Sequence, residues 1–237
     1  MDMRGCQNIM KIVTIHQPNY LPWLGFFHKM VKSDVFVFLD NVPFTKNSVQ
    51  NRCTIRSTNG EFFLTVPVIT KDRLGQLTKD VEIDRNSNWQ RKHWQSILQS
   101  YQKSRYFHLY KTFFEDVYHK IWNELVPLNE ELIRYIAKHL NIETTFVRAS
   151  ELDISGKSTE LLLSICKVLN ADVYLSGPSG REYLDEYRFQ ENNIEVKYDQ
   201  FNHPIYEQQY QKFIPKLSII DLLFNHGPES LGILSSS

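Results

Sequence analysis

The order of apolar patterns along the chain predicts an α/β fold built on a mostly parallel, Rossmann-like sheet. Two zones, residues 11–40 and 145–201, alternate short apolar runs with segments of helical period. A strand, a helix and a second strand within about thirty residues form the repeating unit of a parallel sheet. Between the zones lie a hairpin signal and a long helical stretch, so we expect a β-hairpin and a helical insertion beside the sheet.

The first zone contains the predicted opening strand, helix and second strand. The strands are "KIVTIHQ" and "VFVFLD", and the segment between them, "LGFFHKMVKSD", places Leu24, Phe27 and Val31 on one helical face. Further along, the turn signal "TNG" separates two alternating runs in "NRCTIRSTNGEFFLTVPV" and predicts the hairpin.

Residues 87–141 are predicted to form the helical insertion within a single domain of residues 1–237. A chain of 237 residues fits one domain of this kind. The insertion contains three amphipathic stripes. Their apolar members are Trp89, Trp94, Ile97, Leu98 and Tyr101, then Tyr110, Phe113, Phe114, Val117 and Ile121, then Leu128, Leu132, Ile136 and Leu140.

The second zone predicts three more strands and two more helices. The strands are "TFVRAS", "ADVYLSG" and "IEVKYDQF", and the helices are "KSTELLLSICKVLN" and "REYLDEYRFQENN". A last helix, "SIIDLLFNHG", begins after a serine N-cap at Ser218 and ends at glycine.

Composition argues against several classes of function. The chain has 27 Lys and Arg and 27 Asp and Glu residues, so its net charge is zero and no basic excess indicates DNA or RNA binding. Its apolar runs are much shorter than the ~20 residues that span a bilayer, and its first ten residues lack the pattern of a signal peptide. We therefore expect a cytoplasmic protein with no membrane partner. Cys6, Cys53 and Cys166 have neither disulfide nor zinc-site spacing.

The candidate site consists of polar residues at the predicted carboxyl ends of the strands, where open parallel sheets bind their ligands. Four segments supply these residues, and we expect the segments to converge on one edge of the sheet. They are His16 and Gln17 after the first strand, Asp40 and Asn41 after the second, Ser176, Gly177, Ser179 and Gly180 after "DVYL", and Asp199 with His203 after the last strand.

His16 is the first candidate for catalysis. As a neutral imidazole it could accept a proton, and as a cation it could hold a phosphate, while a structural hydrogen bond is the alternative role. His203 is a second candidate base, and Asp199, four residues earlier, is predicted to orient its ring. These residues are too few for a metal centre, so no metal site is predicted.

Other residues are candidates for substrate binding. Tyr20 and Trp23 lie in a proline-rich loop and could stack on a base or sugar, although apolar packing explains them equally well. The segment "SGPSGREY", which includes Tyr183, has small residues ahead of a helix as phosphate loops do, but it matches neither GxxxxGK[ST] nor GxGxxG. A basic, amide-rich patch at the hairpin could clamp phosphates or form a solvated face. It contains Lys46, Asn51, Arg52 and Arg56.

Four segments, in this order, carry a family resemblance: "IHQPNYLPWLGFFHK", "LSGPSGREYL", "HPIYEQQY" and "LSIIDLLFNHG". They are similar to the signature segments of the WbqC-like protein family. The resemblance spans about residues 11–232, and its first and last motifs are distinctive. The motif positions are His16, Gln17, Pro18, Tyr20, Trp23, Ser176, Gly177, Ser179, Gly180, Tyr183, His203, Tyr206, Ser218, Asp221 and Asn225.

The resemblance implies a bacterial protein connected with surface polysaccharide and O-antigen gene clusters. The role suggested for the family is transfer of a glycyl or other acyl group to an amino sugar. The implied partners are a nucleotide-linked amino sugar and an acyl donor, for which acyl-CoA is a candidate. In this reaction His16 or His203 would be the base, and the amides of Gln17 and Asn41 or backbone N–H groups near "SGPSG" would hold the oxyanion. Aromatic residues on the insertion helices are a candidate homodimer face.

A looser likeness keeps two other functions open. The first strand, loop and helix resemble those of HxGH nucleotidylyltransferases and pantothenate synthetases, in which histidines contact phosphates. This chain has no HxGH motif. His28 lies twelve residues after His16, too far for the paired histidines of that motif, so we expect His28 to be a scaffold residue. Nucleotidyl or phosphoryl chemistry in the same cleft, and non-catalytic binding of a nucleotide sugar, are the alternatives to acyl transfer.

Overall fold

The computed structural model describes residues 10–210 and 212–236 and contains a parallel sheet and a separate hairpin. The parallel strands pair in the order β5-β2-β1-β6-β7, and β3 and β4 form the antiparallel hairpin. The predicted α/β class, the Rossmann-like sheet and the hairpin are therefore confirmed. In chain order the strands are β1 (Ile12–His16), β2 (Val35–Phe38), β3 (Arg52–Ser57), β4 (Gly60–Thr65), β5 (Thr145–Arg148), β6 (Val173–Ser176) and β7 (Glu195–Tyr198).

The helices follow the predicted order, with three of them in the insertion. Within the described residues the α-helices are α1 (Leu24–Val31), α2 (Trp89–Tyr101), α3 (Phe107–His119), α4 (Leu125–His139), α5 (Thr159–Val168), α6 (Glu186–Glu191), α7 (Ile219–His226) and α8 (Ser230–Ser235). The predicted serine cap is present, because the side chain of Ser218 accepts a hydrogen bond from the backbone N–H of Ile220.

The order of strands creates a switch point between β1 and β6. The chain runs from β1 outward to β2 and β5, then returns to place β6 on the other side of β1. The loops that follow β1 and β6 therefore leave the same sheet edge in opposite directions and open a space between them. This edge is where the sequence places His16 and Ser176.

The two faces of the sheet are covered by two apolar cores. Phe36 and Phe38 of β2 point into the larger core, which contains residues of α1, the hairpin, α2–α4, α7 and α8. Val35 and Val37 point into the smaller core, which α5 and α6 cover. Because neighbouring strand residues face opposite sides, one apolar run serves both cores.

Two elements differ from the predictions. The segment "REYLDEYRFQENN" forms only the short helix α6, and a 3-10 turn, Pro178–Glu182, precedes it. The turn is tight because Gly180 packs on β6, where an added Cβ would lie 2.2 Å from Oγ of Ser176. Helix α8 was not predicted, because its six residues, "SLGILS", are too few to show a helical period.

Two findings concern the whole of the described chain. No helix within residues 10–210 and 212–236 has the length and apolar character needed to cross a bilayer. Cys53 and Cys166 are buried free thiols, and Cys6 lies outside the described residues.

Candidate functional site

Two adjoining cavities lie at the switch point, and we call them together the cleft. One cavity, of about 360 Å³, lies between the ends of β1 and β6, and the other, of about 550 Å³, lies between the start of α1 and the segment after β7. The residues common to both are His16, Lys29, Gly177 and Ser179. Gln17, Ser176 and Tyr183 also line the first cavity, and Trp23, Arg181 and Asp199 also line the second.

His16 presents a neutral proton acceptor to the cleft. Its Nδ1 lies 3.0 Å from the carbonyl oxygen of Gln17. A carbonyl only accepts, so Nδ1 carries the proton and the lone pair is on Nε2. The bond to Gln17 is the ring's one hydrogen bond within the described residues, so Nε2 is left as a free acceptor. Burial and the charge of Lys29 lower the pKa of His16 to about 3, so at neutral pH the ring is not a cation that would hold a phosphate.

Lys29 places a buried cation beside this histidine. The side chain leaves α1 toward the sheet, and its Nζ donates a hydrogen bond to the carbonyl oxygen of Ile15 at 3.4 Å. The residue is only 4% exposed. Burial lowers the pKa of Lys29 to about 8, and the negative charge of Asp199 opposes this shift. The ammonium group is therefore still mainly protonated at pH 7, next to the neutral ring of His16.

Asp199 bonds to α1, so its predicted pairing with His203 is wrong. Nδ1 of His28 donates to its Oδ2 at 2.8 Å, and Nζ of Lys32 donates to its Oδ1 at 3.0 Å. Burial opposes ionisation of Asp199, but these two hydrogen bonds outweigh it and lower the pKa of the carboxyl group. His28 is thus a scaffold residue, as expected, that anchors a wall of the cleft.

His203 lies in a separate aromatic cluster with both ring nitrogens occupied. Its Nδ1 donates to the carbonyl oxygen of Pro204 at 2.8 Å, and its Nε2 accepts from the backbone N–H of Lys216 at 3.0 Å. The ring packs against Phe201 and Tyr206. This geometry gives His203 a structural role in the loop after β7, in place of the predicted role as a base.

Trp23 forms the outer wall of the cleft next to α1. Its ring meets that of Phe201 edge to face, with centroids 5.3 Å apart, and is 36% exposed. Gly25, in the first turn of α1, leaves room for the indole. Trp23 also lines a third cavity beside the hairpin, so this side chain separates the cleft from the hairpin side of the molecule.

Three other predicted substrate-binding residues do not line the cleft. Tyr20 is fully buried, and its hydroxyl bonds to His93 and Tyr118 in the larger core. Asp40 is also buried and accepts two hydrogen bonds from Ser150, which join the ends of β2 and β5. Asn41 lies outside both cavity linings, and its buried Oδ1 has no partner among the described residues. The first two residues stabilise the fold.

The basic patch at the hairpin does not reach the cleft. Lys46 donates to Thr70, Asn51 donates to the carbonyl oxygen of Val66, and Arg52 donates to Thr65. Arg56 faces a cavity farther along β3. These four side chains therefore cannot bind a phosphate next to His16.

Lys29, like Arg181, is a charged residue of the cleft that the sequence analysis missed. Helix α1 is buried from Leu24 to Met30, so its periodicity does not distinguish a core face from a cleft face. A signal was nevertheless present, because a lysine within a mostly apolar helix between two buried strands needs a polar cavity or a partner.

Comparisons with known proteins agree with the motif resemblance. The sequence profile of the WbqC-like protein family matches residues 17–233. The uncharacterized protein Rv1507c of Mycobacterium tuberculosis (strain ATCC 25618 / H37Rv) is 34% identical over 223 residues, which cover 93% of this chain and 96% of that protein. No solved structure matches the chain.

Proposed function

Because the chain belongs to the WbqC-like protein family, we propose that it transfers an acyl group to the amine of a nucleotide-linked amino sugar. The transferred group is glycyl, acetyl or another small acyl group, and the product enters surface polysaccharide or O-antigen synthesis. One observation carries the proposal: at the switch point, the free Nε2 of a neutral His16 lies beside the buried ammonium group of Lys29. Acyl transfer to an amine requires a proton acceptor and a positive group of this kind.

His16 accepts the proton that the amine must lose. The amine nitrogen attacks the carbonyl carbon of the donor, the C–N bond forms, and the π electrons move to the oxygen. The attacking nitrogen is now cationic and much more acidic than a free ammonium group, and Nε2 of His16 takes its proton. The electron pair on the oxygen then re-forms the carbonyl bond, the bond to the leaving atom of the donor breaks, and that atom takes the proton from His16. The charge of Lys29 favours this return, because it opposes a lasting positive charge on His16.

Lys29 stabilises the negative charge that develops on the carbonyl oxygen. It is buried at the inner end of the cleft, where water screens its charge little. The first turn of α1 lines the same space through Gly25 and Phe26, so the positive end of the helix adds to this field. The nucleotide part of the substrate extends toward Arg181 and Tyr183 at the open side.

Direct assay of the product tests the proposal. Nucleotide-linked amino sugars are incubated with acyl-CoA donors, and amide formation is followed by mass spectrometry. We expect His16→Ala to remain folded and to lose roughly 10² or more of the turnover, which is the usual contribution of a positioned base. His16→Gln keeps a hydrogen-bond acceptor without the basicity, so it should bind the sugar nucleotide but react as slowly as His16→Ala.

The control is His108→Ala, which removes an exposed histidine of α3 that lines neither cavity of the cleft, and it should react at the wild-type rate. Wild-type turnover in His16→Ala would exclude His16 from the mechanism. A wild-type protein that binds nucleotide sugars tightly but forms no amide with any donor would instead support the non-catalytic alternative.

Nucleotidyl or phosphoryl transfer is a second candidate, because a buried lysine and a helix N-terminus also suit a phosphoryl group. Such chemistry depends on magnesium, whereas acyl transfer needs no metal. The same assay with EDTA separates the two reactions. Amide that still forms in EDTA supports acyl transfer, whereas a nucleotidyl or phosphoryl product that disappears in EDTA and returns with magnesium supports the phosphoryl alternative.

A further inference from the structure

A second concave surface, which we call the hairpin trough, lies along β3 on the far side of Trp23 from the cleft. It consists of two cavities of about 510 Å³ and about 770 Å³. Both are lined by Thr54 and Lys216, so they adjoin each other. Trp23 lines the first of them and also the cleft, so the trough and the cleft share one side chain as their common wall.

Arg56 brings an unsatisfied charge into the trough. It lines the larger cavity and is only 3% exposed, and its Nε and Nη1 are buried with no hydrogen-bond partner among the described residues. The ring of Tyr210 lies 5.3 Å from the guanidinium carbon and shields it further. Buried guanidinium groups are normally paired, because an unpaired one loses its hydration without compensation. Arg56 therefore lacks a partner that an anion would supply.

The buried carboxyl group of Asp221 interacts with the charge of Arg56 but does not bond to it. Asp221 accepts a hydrogen bond from the hydroxyl of Tyr206 at 2.9 Å, and no hydrogen bond joins it to Arg56 in the described residues. Burial raises the pKa of Asp221 to about 6, although the charge of Arg56 and the neighbouring hydrogen bonds oppose the shift. A carboxyl group with this pKa is mainly ionised at pH 7, so its charge helps to balance the arginine, but Nε and Nη1 of Arg56 are still left without a hydrogen-bond acceptor among the described residues.

The two halves of the trough differ in character. The half around Arg56 is also lined by Lys212, Lys216 and a single acidic residue, Glu61, so positive charge prevails. Apolar side chains line the other half, including Trp23, Val49 and Phe63, which are 36%, 55% and 63% exposed. A basic region joined to an apolar pocket complements a ligand with phosphates at one end and an apolar arm at the other.

We propose that the hairpin trough binds a phosphorylated donor with an apolar arm, the class to which coenzyme A thioesters belong. The phosphates contact Arg56, Lys212 and Lys216, the arm runs along the apolar pocket, and its acyl end passes Trp23 to reach the cleft. This inference rests on the proposed function, because it assigns the donor to the trough and the acceptor sugar to the cleft. It also assigns a role in donor binding to hairpin residues that lie outside the cleft.

Calorimetric titration with coenzyme A tests the trough. The double variant Lys212→Gln/Lys216→Gln removes two exposed charges without disturbing the core, whereas replacing buried Arg56 could impair folding. We expect this variant to bind coenzyme A at least tenfold more weakly than the wild type. The matched control is Lys111→Gln/Lys167→Gln, which removes two exposed lysines from α3 and α5 and should bind as the wild type does. Pantetheine and adenosine 3′,5′-bisphosphate, which are the two halves of the ligand, should each bind at least tenfold more weakly than coenzyme A.

An unchanged Kd in Lys212→Gln/Lys216→Gln, or no saturable binding of coenzyme A to the wild type, would overturn the proposal. If the bisphosphate binds as tightly as coenzyme A, the apolar pocket does not contribute to binding, and that part of the proposal is wrong. The His16→Ala variant separates this inference from the proposed function, since it should bind coenzyme A normally. Coenzyme A binding without any amide product refutes the enzymatic reaction alone, and amide formation from a donor that lacks coenzyme A refutes the trough alone.

Discussion

At the scale of single residues, the buried charge of Lys29 lowers the stability of the fold but serves the proposed function. An aliphatic side chain would fill its position in α1 without losing hydration, yet the chain places an ammonium group there beside His16. Asp199 compensates part of the cost through its charge. A buried cation that the fold does not need is typical of functional sites, where activity is maintained at the expense of stability.

Lys29→Met is expected to raise the free energy of unfolding at pH 7 by about 1–3 kcal/mol while abolishing acyl transfer. The folded pKa, about 8, lies below the ordinary value of 10.5. The cost of burying the charge is thus fully present below pH 8 and disappears as the pH rises toward 10.5. Urea denaturation of both proteins between pH 7 and 10.5 should show the difference in stability shrinking as the pH rises.

Lys111→Met, at an exposed position of α3, is the control for this series and should change stability little at any of these pH values. If Lys29→Met is instead less stable than the wild type at pH 7, Lys29 has a structural role and the opposition between stability and function does not exist.

At the scale of elements, α1 both completes the larger core and forms a wall of the cleft. Leu24 and Phe27 pack in the core, whereas Lys29 and the loop residue Trp23 face the cavities. The contact between Trp23 and Gly25 is close, since a Cβ added to Gly25 would lie 2.4 Å from Cη2 of the indole. The glycine therefore determines where the indole lies, although the helix itself would be more stable with alanine.

Gly25→Ala should have opposite effects in two backgrounds. With Trp23 present, the new methyl group displaces the indole and lowers the free energy of unfolding. In a Trp23→Ala background the clash is absent, and the higher helix propensity of alanine should raise stability by up to about 1 kcal/mol. Urea denaturation of the four proteins measures this coupling. Equal effects in both backgrounds would mean that Trp23 does not rest on Gly25.

At the scale of the whole molecule, the cleft is held together by bonds between elements that are distant in sequence. Asp199 follows β7 near one edge of the sheet, and its partners His28 and Lys32 lie on or just after α1, the crossover between β1 and β2. This connection spans the switch point and fixes the two sides of the larger cavity relative to each other. On the opposite side, the bonds between Asp40 and Ser150 connect β2 with β5.

Asp199→Asn should lower the free energy of unfolding at neutral pH by about 1–3 kcal/mol, because it weakens two hydrogen bonds to charged or polar partners. The folded pKa of Asp199 is lower than its ordinary value of 3.8. Its contribution is therefore complete above that value and is lost as the pH falls through the folded pKa. Denaturation curves at pH 7, 5 and 3.5 should show the difference between variant and wild type narrowing only at the most acidic pH.

Asp153→Asn, at an exposed position before α5, provides the comparison and should remain within about 0.5 kcal/mol of the wild type. A difference between Asp199→Asn and the wild type that persists unchanged at pH 3.5 would mean that the carboxylate charge is not what connects β7 to α1.

The sequence by itself determined the order of strands and helices, the hairpin, and the delivery of His16 and Ser176 to one sheet edge. These features follow from local periodicity, turn residues and the rule that parallel strands end at the same edge, so short stretches of chain suffice to predict them. Only the tertiary structure decided which polar groups meet. Asp199 bonds to His28, 171 residues away, and not to the nearby His203. Lys29 lines the cleft together with His16, whereas Arg56 faces a separate trough. Such contacts, and the burial that makes His16 a neutral acceptor, depend on packing between distant segments, which no local pattern encodes.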